Sequence, residues 1–174
     1  MSADRPGVSI AAARRDDLPG IMGLEVAGFT PSEQWSERSW QGELLGDGRT
    51  TLLARRHVPV GVIALQTVAD VADLHRLVVS PRHRRQGVGA ALVVAGLTAV
   101  RHAGARSVML EVAWDNDPAI ALYQWLGFEQ LTARDDYYGP GRHALILRLW
   151  DLPGWTPPSW APDTATEPPT KESA

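Results

Sequence analysis

The run Val78-Val79-Ser80-Pro81-Arg82-His83-Arg84-Arg85-Gln86-Gly87-Val88-Gly89-Ala90 joins an apolar β-branched stretch to a long apolar stretch through an arginine-rich turn. Ser80-Pro81 stops a strand, and the spacing from Gln86 to Ala103 predicts a long helix ended by Gly104. A strand that feeds directly into a helix places the chain in the α/β class. The turn itself has a chemical reading. A helix start leaves backbone N–H groups unpaired and carries partial positive charge. Glycines let a phosphate approach that backbone, and arginines add charge. The physical reading is a pyrophosphate cradle; the alternative is an exposed basic turn whose glycines only bend the chain. Neither the G-K-[ST] of a P-loop nor the third glycine of G-x-G-x-x-G is present.

Around this centre the pattern predicts strands at Val8–Ala12, Thr50–Arg56, Val58–Val68, Val71–Val79, Arg106–Ala113, Phe128–Ala133 and His143–Trp150. A helix begins at Asp16-Asp17, and a second, with Trp35, Trp40 and Leu44, begins at Ser32 and closes at Gly46. Asn116-Asp117-Pro118 opens a short helix whose Ala119, Leu122, Tyr123 and Leu126 form one buried stripe. Residues 1–152 are thus expected to form one domain of mixed α/β order. From Pro153 the chain holds six of its 13 prolines and no apolar periodicity, so 153–174 is expected to be a disordered tail, docking of Trp155 and Trp160 on the body being the alternative.

Composition narrows the chemistry. The 174 residues contain no cysteine, which excludes disulfides, thiolate metal sites and cysteine nucleophiles. Lys171 is the only lysine and lies near the end, so a Schiff-base lysine is not expected. The net charge of −3 and pI of about 5.9 do not fit direct binding of nucleic acid. The stretch Val88–Val100 is shorter than the roughly 20 residues of a membrane span, and the charged first residues form no signal peptide; a cytoplasmic protein is expected. His57, His83, His102 and His143 have no ligand spacing, so no metal is expected.

Three side chains stand out. Glu111 interrupts the otherwise apolar Val108-Met109-Leu110-Glu111-Val112, where an unpaired carboxylate inside a covered sheet would cost several kcal/mol. It either opens onto a wet cleft or lies on a solvated strand. Tyr123 falls on the buried helix stripe, which fits a core aromatic. His75, in the strand before the glycine turn, is either a base available near neutral pH or an ordinary strand histidine.

Arg84-x-x-Gly87-x-Gly89 between strand and helix resembles the acyl-CoA signature R/Q-x-x-G-x-G/A of the GNAT acetyltransferases. Leu110-Glu111-Val112, Asn116, Ala121-Leu122-Tyr123, Leu126-Gly127-Phe128 and Arg134-x-x-Tyr137-Tyr138 resemble the branch that acetylates N-terminal alanine of ribosomal proteins. The resemblance spans about residues 8–150. It implies a GNAT fold: a mixed, mostly antiparallel, splayed sheet flanked by helices. It implies acetyl-CoA as co-substrate, with pyrophosphate on Arg85, Gln86, Gly87, Val88, Gly89 and Ala90. Pantetheine would pair with Leu77, Val78 and Val79, and Asn116 would hold the acyl-CoA chain. It implies Glu111 as base for an incoming amine and Tyr123 as acid for the departing thiolate, by direct attack. The acceptor implied is a protein N-terminus. The residues themselves offer His75, Tyr137 and Tyr138 as its walls, and Asp135 and Asp136 either draw in a basic residue or form a solvated hairpin tip. A small-molecule amine, or a regulator that binds acyl-CoA without turnover, are the alternatives.

Overall fold

The computed structural model describes Gly7 to Trp160. In chain order it contains β1 (Ser9–Ala12), α1 (Leu18–Gly28), α2 (Glu37–Leu45), β2 (Arg49–Arg55), β3 (Pro59–Val68), β4 (Val71–Val79), α3 (Val88–His102), β5 (Ser107–Ala113), α4 (Asp117–Trp125), β6 (Glu129–Arg134) and β7 (Ala144–Leu149). The strands form one open sheet in the order β1-β2-β3-β4-β5-β7-β6. Neighbours are antiparallel except β4 and β5, which are parallel because α3 carries the chain back across the sheet. This is the mixed, mostly antiparallel α/β sheet expected from the sequence.

Alternation along the strands divides the core in two. Leu52, Ile63, Leu65, Val108 and Leu110 pack against α3 and α4. Leu53, Val62, Ala64 and Val78 pack against α1 and α2. α3 is apolar almost all round and buries Leu92, Val93, Leu97 and Val100. Each such side chain stabilises the fold by roughly 1.5–3 kcal/mol.

The functional geometry starts at one irregularity. Pairing between β3 and β4 steps from Ala64 opposite Arg76 to Leu65 opposite Leu74, so His75 is an extra residue, a β-bulge. A bulge bends its strand. The β4–β5 ladder joins only Val71–Leu74 to Ser107–Leu110, although β4 continues to Val79 and β5 to Ala113. Past the bulge the two strands splay, and a wedge opens through the sheet.

Some expected boundaries shift. The second helix starts at Glu37, not Ser32: Ser36 caps it by accepting from Ser39 N–H at 3.1 Å. Thr30 to Glu33 form a turn instead, with Glu33 N–H donating to Thr30 O at 2.9 Å. The long helix starts at Val88, because Gly87 before it is left-handed (φ 78°). The expectation of a disordered tail needs correcting between Pro153 and Trp160. Trp155 Nε1 donates to Leu126 O at 2.9 Å, and Arg101 Nη1 donates to Trp155 O at 2.9 Å. Trp160 stacks on Trp125 at 5.6 Å between ring centroids. Indole surface thus anchors a proline-rich segment that has no periodicity of its own. The rest of the expected tail, 161–174, lies outside the described residues.

Candidate active site

The glycine turn has the form a diphosphate requires. Gly87 caps α3 in the left-handed region and offers no side-chain cap. The first helical bond is Ala91 N–H to Gly87 O at 3.0 Å, so the amides of Val88, Gly89 and Ala90 lack intrahelical partners. Arg85 also has a positive φ, 59°. A Cβ on Gly89 would sit 3.5 Å from Val79 Cγ2 and 3.8 Å from Leu122 Cδ2, ordinary contacts. Internal packing therefore does not demand glycine there; its absent side chain leaves the amide face bare for a ligand. Gln86 accepts from Arg56 Nη1 at 2.7 Å and donates to Arg82 O at 3.1 Å, which braces the turn. Arg84 folds back on Val79 O and Gly28 O, at 3.4 Å each. Val88 is buried in the core and contributes only its backbone.

Leu77, Val78 and Val79 pair with Ile63, Val62 and Gly61 on one side, while their other edge lies beyond the end of the β5 ladder. That edge can accept an extended chain as an added strand. Asn116 caps α4, its Oδ1 accepting from Ala119 N–H at 3.3 Å, and its exposed amide NH2 remains a donor. These features fit acetyl-CoA: amides for the diphosphate, a strand edge for the amide-bearing arm, and the wedge for the thioester.

The other face of the sheet holds a cavity of about 800 Å³. Glu111, His75, Tyr137 and Tyr138 line it, as do Trp35 and Arg134. Glu111 does open onto a cleft. Its Oε1 lies 3.1 Å from Arg134 Nη1, and the Tyr137 hydroxyl hydrogen-bonds the same carboxylate. That bond and the carboxylate charge raise the Tyr137 pKa. Burial, then the Glu111 charge, raises that of Tyr138. His75 Nδ1 lies 3.0 Å from Glu43 Oε1 and 3.0 Å from Arg49 Nη1. Asp135 and Asp136 do not line the cavity; they sit by His143 at the hairpin tip, 3.5 and 4.0 Å away. Trp40 is wholly buried packing beneath Trp35, at 5.4 Å.

Tyr123 lies on the opposite side. It is buried in the core beside α3, edge-on to Phe128 at 5.7 Å. Burial raises its pKa, so the phenol keeps its proton at neutral pH. Glu111 and Tyr123 thus lie on opposite faces of the sheet.

Sequence reasoning missed the charges that build the cavity wall. Glu25 is fully buried and pairs with Arg76, whose guanidinium lies 3.6 Å from the Phe29 ring centroid. The signal was present: Glu25 follows Ile21 by four residues on the buried face of α1. Arg134 stood within a recognised motif without a role.

The sequence profile of the Acetyltransferase (GNAT) family matches residues 13–128. The [ribosomal protein bS18]-alanine N-acetyltransferase of Escherichia coli K12 is 31% identical over 145 residues, covering 81% of this chain and 96% of that protein. The N-alpha-acetyltransferase RimI of Mycobacterium tuberculosis is 29% identical over 143 residues, 79% of this chain and 89% of the relative. The crystal structure of the Escherichia coli ribosomal-protein-S18-alanine N-acetyltransferase superposes with a TM-score of 0.75 at 28% identity, covering 82% of this chain and 92% of that one. Sequence, splayed sheet and glycine cradle agree that the chain belongs to the GNAT acetyltransferase family, as an N-acetyltransferase that takes its acetyl group from acetyl-CoA.

Proposed function

We propose that the chain acetylates the N-terminal α-amino group of a protein, alanine first, with a ribosomal protein in the cytoplasm as the target class. The observation that carries this reading is the wedge between β4 and β5, which joins the bare amides of α3 on one face to a carboxylate-lined cavity on the other. The names of the relatives support it.

Acetyl-CoA supplies the activated acyl group. The amides of residues 85–90 hold its diphosphate, and the Asn116 amide steadies the arm that lies along Leu77–Val79. A backbone N–H of that strand polarises the carbonyl oxygen. Glu111 takes a proton from the acceptor nitrogen as the N–C bond forms. The Tyr123 hydroxyl gives a proton to the sulfur as the C–S bond breaks, and is reprotonated from solvent once the thiol leaves. Burial raises the tyrosine pKa, so the phenol carries its proton until the thiolate forms. A carboxylate is base enough for an α-amine of pKa near 8, about a tenth of which is neutral at pH 7. A lysine amine, with pKa about 10.4, is neutral in only about one molecule in a few thousand. His75 and the Tyr137-Tyr138 pair form the acceptor wall.

The test is thiol release from acetyl-CoA with an alanine-first peptide, the same peptide blocked at its N-terminus, and a panel of small amines. Turnover only with the free peptide supports the reading. Turnover only with small amines replaces it by a small-molecule acetyltransferase, and CoA binding without turnover by a regulator. Tyr123→Phe is expected to lower kcat about 10²-fold or more while KM for acetyl-CoA holds. Volume is nearly conserved, so circular dichroism and the thermal midpoint should scarcely change. An unchanged kcat would return Tyr123 to the core.

A further inference from the structure

We infer that Arg134 is a positioning residue that occupies the acceptor ammonium's place at Glu111 and yields it when the acceptor binds. The inference rests on Glu111 being the base.

The geometry has three parts. Arg134 Nη1 lies 3.1 Å from Glu111 Oε1. The Arg134 side chain is 55% exposed and that of Glu111 33%, so the pair is screened by water and breaks at little cost. The guanidinium carbon also lies 5.3 Å from the Tyr137 ring centroid, a cation–π seat it can keep after releasing the carboxylate.

The basic groups of β2 and β4 that share the cavity with Glu111 are committed elsewhere. On β4, Arg76 is paired with Glu25. On β2, Arg49 is paired with Glu43 of α2, which also holds His75 of the bulge. Arg38 of α2 and Asp73 of β4 line the same cavity with opposite signs. Tyr137 and Tyr138 present neutral phenols, and on β7 the residue opposite Glu111 is Ile146. Among the described residues, Arg134 is therefore the cation in contact with the base. An α-ammonium that takes its place at the carboxylate leaves Glu111 compensated at every stage, while the guanidinium stays on Tyr137. The guanidinium cannot give up a proton at physiological pH, whereas the ammonium can. Exchange thus converts a resting ion pair into a reactive one, and it selects acceptors that arrive as cations.

Arg134→Gln tests this. Removal of the competing cation should lower KM for the alanine-first peptide about two- to five-fold, the equivalent of a pair worth about 0.5–1 kcal/mol. kcat should change less than KM, because Arg134 takes no proton in the reaction. Arg134→Lys, which keeps a cation beside the carboxylate, should return the peptide KM towards wild type. The effect should vanish when Arg134→Gln is made in a Glu111→Gln background. An unchanged or raised peptide KM, a KM that Arg134→Lys does not restore, or an effect that persists without Glu111 would overturn the inference while Glu111 stands as base. If Glu111→Gln alone leaves kcat/KM unchanged, the reading of Glu111 itself falls.

Discussion

Glu111→Gln is expected to lower kcat with an alanine-first peptide by about 10²- to 10⁴-fold, the usual range for a general base. The amide is nearly isosteric with the carboxylate and can still accept from Arg134 and Tyr137, so the cavity keeps its shape. What is lost is the ability to take a proton. The deficit should be largest at pH values below the α-amine pKa of about 8, where the acceptor arrives protonated, and should shrink above it, where the acceptor is already neutral. KM for acetyl-CoA should hold, because the glycine cradle lies at α3 on the other side of the wedge. A pH series of kcat and KM for both substrates checks all three points. An undiminished rate would remove Glu111 as base and move attention to His75, which reaches the same cavity from the bulge.

What the sequence revealed and what it hid follow from range. The glycine turn was legible because its meaning is local: a strand end, a left-handed glycine and a helix start fall within the ten residues from Val79 to Val88. β4 was legible to the residue because Ser80-Pro81 and the Val68–Val71 turn bound it. Glu111 was legible as an anomaly, a charge in an apolar strand, though only the splay shows that it faces a cavity. The bulge at His75 was not legible. It depends on how β4 registers against β3, and nothing within Asp73-Leu74-His75-Arg76-Leu77 signals an extra residue. The start of the second helix was misplaced because Ser32 and Ser36 are both competent caps. The turn held between Thr30 and Glu33 decides between them, and Arg142, distant in sequence, pairs with Glu33. The docking of Trp155 was legible only as an alternative for the same reason: its partners, Arg101 on α3 and Leu126 just past α4, are distant in sequence.

Glu25 is the residue whose loss should cost most stability. It is fully buried and satisfies three donors: Trp35 N–H at 2.8 Å, Trp40 Nε1 at 3.1 Å, and the Arg76 guanidinium. Those bonds tie α1, the loop before α2, α2 itself and the bulged part of β4 to one carboxylate. Glu25→Gln keeps the volume but brings an amide donor against donors, and it leaves the partly buried Arg76 without its counter-charge. Removing one partner of a buried pair typically costs about 3–5 kcal/mol. The thermal midpoint should therefore fall by on the order of 10 °C, and the urea midpoint should fall with m unchanged. The double variant Glu25→Gln, Arg76→Met should recover part of the loss, because the stranded charge goes and an apolar chain takes its place between Phe29 and Trp35. Activity should divide the same way. Trp35 lines the acceptor cavity, so KM for the peptide should rise while KM for acetyl-CoA holds. A loss below about 1 kcal/mol would mean that water reaches this carboxylate and that the bulge needs no such anchor.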